Sequence, residues 1–216
     1  MKIIVFGSTG RTGRAAISKL LEAGHEVTAF ARNTSTLATA PNLAIMQGDA
    51  MRTADVDRAV PGHDAIVVSL GNSQNPFALL FGARRTTPPN VCEVGTRNII
   101  AAIDPVAPVR LIVVTAFGIG DTRDKLPFLF KMFYRLVLRE HMVDKERQEA
   151  VLKASRLEYV LIQPVALTDK PAAGTWLASP SGEIRKQEVS RTDVAAFIAE
   201  EIALPRHSRQ TIAFSG

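Results

Sequence analysis

The chain alternates between two patterns of apolar spacing. Short runs of Val, Ile, Leu, Ala and Phe at 2–6, 26–30, 43–47, 65–69, 110–115 and 158–163 read as β-strands. Between most of them, at 12–23, 54–60, 91–103 and about 128–154, apolar residues recur three and four apart, the spacing of amphipathic helices. Strands that are almost continuously apolar and separated by helices imply a parallel sheet covered on both faces. The expected fold class is α/β, a doubly wound parallel sheet with a small C-terminal region on the substrate side. That region holds a turn-rich stretch at 169–182, a last helix and a closing strand at 211–214. Ser190 with Asp193 resembles a capping box with Asp in place of Glu, which sets the start of the last helix. No repeat, low-complexity segment or linker divides residues 1–216, so one domain is expected.

One connection departs from the pattern. "GNSQNPFALLFGARRTTPPN", residues 71–90, is long for a compact domain and follows a strand at its C-terminal end, where open α/β sheets bind ligands. It reads as a flap over a site. Composition sets the remaining bounds: 46% of the 216 residues are hydrophobic and 22% charged, enough for one sizeable core. The net charge of +5 is spread along the chain, which suits a solvated surface attractive to anions and argues against nucleic acid as a partner. The single cysteine, Cys92, rules out an intramolecular disulfide, and His25, His63 and His207 show no ligand spacing, so no metal is expected. No apolar run is long enough to insert in a membrane, and a cytoplasmic protein, monomeric or weakly dimeric, is the expectation.

The first strand runs into "GSTGRTG", which places Gly7, Gly10 and Gly13 between a strand and a helix. A dinucleotide-binding loop requires that context: glycines permit the tight turn and close approach to a pyrophosphate, and the helix N-terminus offers it free N–H groups. Glycines in such turns also serve purely steric ends, so the placement carries the reading more than the spacing does. At the end of the second strand, "TAFARNTS" has Arg32 and no acid where an NAD-selective site would hold the ribose 2′-hydroxyl. A fixed cation there suits a 2′-phosphate, hence NADP (NADPH), with Arg11 reaching the same phosphate unless both are ordinary surface arginines. Asp49 in "QGDA" either accepts from an adenine amino group or caps its own turn, and Gly71 in "VVSLGN" keeps space for ribose and phosphates. The candidate cofactor-binding set is Gly7, Thr9, Gly10, Arg11, Thr12, Gly13, Arg32, Asp49, Ala50, Leu70, Gly71 and Asn72, with Thr115, Lys145 and Pro164 at the far end.

Together "GSTGRTG", "FAR", "GDA", "VSLGN", "VVTAFG" and "LIQPVALTDKP" resemble the atypical short-chain dehydrogenase/reductase group that contains the NmrA-like NAD(P)-binding proteins, closest to its biliverdin-IXβ reductase/flavin reductase branch. The likeness runs from residue 2 to about 214. It implies a Rossmann-type fold, NADPH across the carboxyl edge of the sheet, and hydride transfer to a small flat acceptor such as a flavin, tetrapyrrole or quinone. In such proteins a Ser or Thr after the fifth strand orients the acceptor, and a Tyr-x-x-x-Lys helix supplies an acid and a lysine for the nicotinamide ribose. Thr115 and Lys145 match the first and last of these and are the candidate catalytic pair, while His141 stands where tyrosine would be. His141 is either an acid near neutral pH or a solvated helix residue. Lys145 with Glu149 also reads as a surface helix pair. Pro164 is expected to shape the turn beside the nicotinamide, but Val165 and Ala166 follow it where a histidine would suit a tetrapyrrole, which favours a flavin or quinone.

Other residues read more simply. Cys92 suits a small buried hydrophobe, Tyr134 suits packing, and Lys131, Arg135 and Arg139 form a basic helix face facing solvent. Two functions of different class stay open: an NADPH-dependent reductase, and a non-catalytic NADP(H) sensor of the NmrA type. An isomerase acting on a sugar nucleotide is disfavoured by the missing tyrosine and the short C-terminal part.

Overall fold

Strand β1 (Lys2–Phe6) is the centre from which the chain winds outward in both directions. A computed structural model describes residues 1–72, 74, 82–103, 108–126, 132 and 136–216. Much of the 71–90 connection therefore lies outside the described residues, as do Lys131, Tyr134 and Arg135 of the expected 128–154 helix. After β1 come α1 (Arg11–Glu22), β2 (Glu26–Ala31), β3 (Leu43–Gln47), α2 (Thr53–Ala59), β4 (Ala65–Val68), α3 (Val91–Ala102) and β5 (Arg110–Val114). A 3-10 helix (Gly120–Lys125), α4 (Arg139–Ala154), β6 (Tyr159–Pro164), β7 (Ala166–Thr168), β8 (Leu177–Ser179), β9 (Glu188–Ser190), α5 (Arg191–Ala203) and β10 (Gln210–Ser215) complete it.

The eight-stranded sheet has the order β3-β2-β1-β4-β5-β6-β10-β8. All neighbours are parallel except β8, which runs antiparallel to β10. Strand order reverses between β1 and β4, and that switch opens a crevice at the strands' C-terminal ends. Alternate residues of β1 feed separate cores: Ile3 and Val5 pack with Leu20, Ile198 and Phe214, whereas Ile4 and Phe6 pack with Ile99, Val113 and Leu152. Both faces of the central strands are dry, which is why their sequences are apolar at nearly every position. Helices α1 and α5 cover one face, and α3 and α4 the other.

Three local features bear on the site. Ser190 caps α5 as expected, its Oγ accepting from Asp193 N at 3.0 Å, while the Asp193 carboxylate also grips the Ala173 and Gly174 amides. The expected helix over 128–154 is not continuous: Val137 and Leu138 are non-helical and α4 starts only at Arg139. Leu138 leaves the helical path where it turns to line a cavity. Strands β7 and β9 pair in a separate two-stranded sheet. Each has three residues, too few to show a period.

Candidate functional site

A groove follows the carboxyl edge of the sheet across the switch point. Its first cavity, of about 610 Å³, runs from Gly7, Thr9 and Gly10 past Arg32, Asp49 and Ala50 to Thr86 and Thr87. Next comes one of about 360 Å³ between the start of α1, the Leu70–Gly71–Asn72 segment, Thr115 and Lys145. A third, of about 390 Å³, shares Asn72, Thr115 and Lys145 and continues to His141, Pro164 and an apolar wall of Leu138, Met142, Val165 and Leu167. The three share residues at each junction, so one elongated ligand and a second, flat one can lie end to end.

The glycine loop is built for close approach. Gly7 has φ +85°, and a Cβ on it would collide with the Ser69 carbonyl of the adjacent strand end. A Cβ on Gly13 would strike the Gly7 carbonyl, so α1 abuts the loop only because that residue has none. Gly10 is the N-cap, no side chain caps α1, and its first turn contains no acid. The amides of Arg11, Thr12 and Gly13 are thus left for a ligand, and the positive helix end favours an anion. Ser8, which the sequence did not single out, is fully buried and ties the loop to β2 by donating from Oγ to the Phe30 carbonyl at 2.9 Å. These residues fit the diphosphate of a dinucleotide.

Arg32 lines the first cavity, where its guanidinium reaches Thr87 Oγ1 at 3.0 Å and the Thr86 carbonyl at 3.4 Å. Arg11 does not stand with it. Its Nη1 lies 2.6 Å from Asp169 Oδ2, and Arg191 meets the other oxygen at 2.8 Å, so an acid beyond β7 draws Arg11 across the second cavity. Asp49 caps its own turn, Oδ1 accepting from Met51 N at 3.0 Å, and also lines the first cavity. A Cβ on Gly71 would meet nothing within 4 Å, so only a ligand gives that residue a steric role. Asn72 Nδ2 is buried and has no partner among the described residues, an unmet donor beside the third cavity.

At the far end the structure corrects two expectations. Lys145 and Glu149 are not a surface pair. Lys145 Nζ turns to the Leu70 carbonyl at 3.3 Å and the Val114 carbonyl at 3.2 Å, bridging the ends of β4 and β5 with one N–H to spare. Glu149 is buried, and its Oε1 accepts from Thr115 Oγ1 at 2.7 Å and from Gln163 Nε2 at 2.8 Å. Burial raises the Glu149 carboxyl above its ordinary range, against the pull of those two bonds. His141 is not on a solvated face either: it is half-buried against the third cavity, and burial lowers its pKa, which favours the neutral imidazole. Cys92 is buried with its thiol pushed up to about 12, an inert group rather than a nucleophile.

Sequence reading found Lys145 and His141 on the inward face of α4 but missed Asp144, Gln148 and the burial of Glu149 beside them. His141, Asp144, Lys145, Gln148, Glu149 and Leu152 follow helical spacing, but five of the six are polar, so hydropathy marks the stripe as exposed. Their helical spacing from Lys145 was the signal that could have found them. Among the described residues no group of three acidic, His or Cys side chains is placed to hold a metal, and no helix is long and apolar enough to cross a membrane.

Known proteins are similar to this chain in sequence or in fold. An uncharacterized chloroplastic protein of Arabidopsis thaliana is 27% identical over 216 residues, covering 96% of this chain and 73% of its own. The solved structure of ChuY, an anaerobillin reductase from Escherichia coli O157:H7, superposes with a TM-score of 0.77 at 24% identity, over 100% of this chain and 97% of ChuY. SP1627, a putative NADH-flavin reductase from Streptococcus pneumoniae TIGR4, does so with a TM-score of 0.73 at 19% identity, over 99% and 98%. At these identities the superpositions establish the Rossmann-like fold. The sequence profile of the NAD(P)H-binding family matches residues 7–205, from the first glycine of the loop to just beyond α5, and the chain belongs to that family.

Proposed function

We propose that the chain is an NADPH-dependent reductase of the short-chain type that delivers hydride to a flavin, quinone or similar conjugated acceptor. The observation that carries this reading is the third cavity: an open, apolar-walled space of about 390 Å³ at the far end of a dinucleotide groove, joined to it at Thr115 and Lys145. A flat ring system stacks in such a space and excludes water from the transfer. The names of ChuY and SP1627 support a reductase of this kind.

When bound, the cofactor supplies a hydride from C4 of its nicotinamide. The glycine loop and the amides of α1 take its diphosphate, and Arg32 takes the 2′-phosphate in a strand end that carries no competing acid. Lys145 offers its remaining N–H to the nicotinamide ribose, and Asn72 its unmet Nδ2–H to the cofactor or the acceptor beside it. Thr115, Pro164 and Val165 hold the acceptor ring against the nicotinamide face.

The test is NADPH oxidation by purified protein with FMN, FAD, riboflavin, menadione and biliverdin as acceptors, after NADPH binding is established by fluorescence. Turnover above the uncatalysed rate on flavin or quinone is expected. Tight NADPH binding without turnover on any acceptor would replace the reductase by the ligand-sensing reading.

A further inference from the structure

Behind Thr115 lies a buried polar cluster that the hydride transfer leaves unused. Glu149 is 2% exposed, and its Oε1 holds both Thr115 and Gln163. Gln163 is fully buried; its other amide proton goes to the Ile119 carbonyl at 3.1 Å, and its Oε1 accepts from Thr122 Oγ1 at 2.8 Å. That accounts for every oxygen but one. Glu149 Oε2 is buried with no hydrogen-bond partner among the described residues, in a notch that exists because Gly120 has no Cβ to fill it. The charged groups facing Glu149 are Lys153 on its own helix, with Nζ 3.8 Å from Oε2, and Asp121 of the 3-10 helix, which holds that same Nζ at 2.7 Å. Across Thr115, the cavity side carries Lys145 and His141.

A carboxylate kept only to brace β5, β6 and α4 would have both oxygens satisfied, since an unmet buried charge is costly. Here Glu149 Oε2 makes no hydrogen bond among the described residues and meets a cation only at 3.8 Å, so the carboxyl is incompletely paired and tolerates a proton. With that proton on Oε1, the 2.7 Å bond to Thr115 reverses: Glu149 donates, Thr115 Oγ1 accepts, and the threonine hydrogen turns to the cavity that Thr115 lines.

We propose that Glu149 is the proton reservoir of the acceptor site and delivers its proton through the Thr115 hydroxyl as the acceptor is reduced. This rests on the reductase reading of the third cavity. As hydride moves from NADPH to the acceptor, the Thr115 O–H bond breaks and its proton bonds to the acceptor's anionic oxygen or nitrogen. The Glu149 proton passes to Thr115 Oγ1, leaving NADP⁺, the dihydro acceptor and ionised Glu149. Water at the exposed Lys153–Asp121 side restores the proton. Thr115 touches the acceptor; Glu149 acts through it.

The experiment is the pH profile of kcat, with NADPH and menadione, for the wild type, Glu149→Gln, Thr115→Val and Thr115→Ser. Glu149→Gln and Thr115→Val are each expected to lower kcat by about 100-fold, the scale of a lost general acid, with the KM for NADPH unchanged. The wild-type decline of kcat with rising pH should be absent in Glu149→Gln, and Thr115→Ser should retain activity. Glu149→Gln with wild-type kcat and pH profile overturns the relay and leaves the reductase intact, whereas a wild type that binds NADPH without turnover overturns both. Should Glu149→Gln fail to fold, carboxyl carbon-13 titration of the wild type decides: a Glu149 midpoint above the ordinary glutamate range supports the reservoir, and one within or below it overturns it.

Discussion

On the proposed reading, Arg32 is the residue at which the two nicotinamide dinucleotides would differ most in what they meet. Its guanidinium lies in the first cavity, loosely held by Thr86 and Thr87, and no acid of β2 or its following residues competes for it. A 2′-phosphate would give it a charge-assisted bond worth about 1.5–3 kcal/mol, which NADH cannot make. Arg32→Ala should therefore raise the Kd for NADPH about 10- to 100-fold and leave that for NADH nearly unchanged, read by fluorescence titration of both. Equal weakening of both would assign Arg32 to holding the 86–87 segment instead. Residues such as Arg32 and Gly7 are legible in sequence because each directly follows a strand whose end it must occupy. Glu149 is not, because its burial depends on Thr115 and Gln163 from two other elements, brought together only by the sheet.

Helix α3 shows the same limit one level up. Its N-terminus follows Asn90, a residue type that commonly caps, yet the Asn90 side chain makes no capping bond. The cap comes from α4: Asp144 accepts from Cys92 N and Glu93 N, both at 2.9 Å, across 52 and 51 residues of chain. Two bonds to the positive end of a helix, made by a buried carboxylate, also lock α4 to α3 and so fix the face carrying Lys145 and His141. Asp144→Ala should cost about 1–2 kcal/mol in urea unfolding at constant m-value. An unchanged midpoint would show that water satisfies the α3 amides as well as Asp144 does. Strands were legible because both faces of the central sheet are dry and nearly every position of a central strand is apolar. Three-residue β7, β8 and β9 were not, having no room for a pattern, and Leu138 broke a helix that its neighbours' spacing had continued.

At the scale of the whole molecule, the C-terminal region returns to the first loop of the chain. Asp169, after β7, holds Arg11 of α1 and Arg191 of α5 at once, bridging the second cavity over a separation of 158 residues. The strength of this bridge is modest, since Asp169 is 54% and Arg11 75% exposed, and exposed ion pairs contribute about 0–1 kcal/mol. Its larger effect is on the field at the groove: a carboxylate there offsets the two cations that an approaching dinucleotide would meet. Removing that charge from a chain of net charge +5 strengthens attraction for an anionic ligand over a Debye length, about 10 Å at 0.1 M salt. Asp169→Asn should therefore leave thermal stability almost unchanged while raising the NADPH association rate severalfold at low salt, and stopped-flow fluorescence should show the two proteins converging as salt rises. A slower association than wild type at low salt would reverse the sign. Asp169 would then be needed to hold Arg11 and Arg191 in the orientation that receives the diphosphate, and the bridge would be part of the binding site rather than a brake on entry to it.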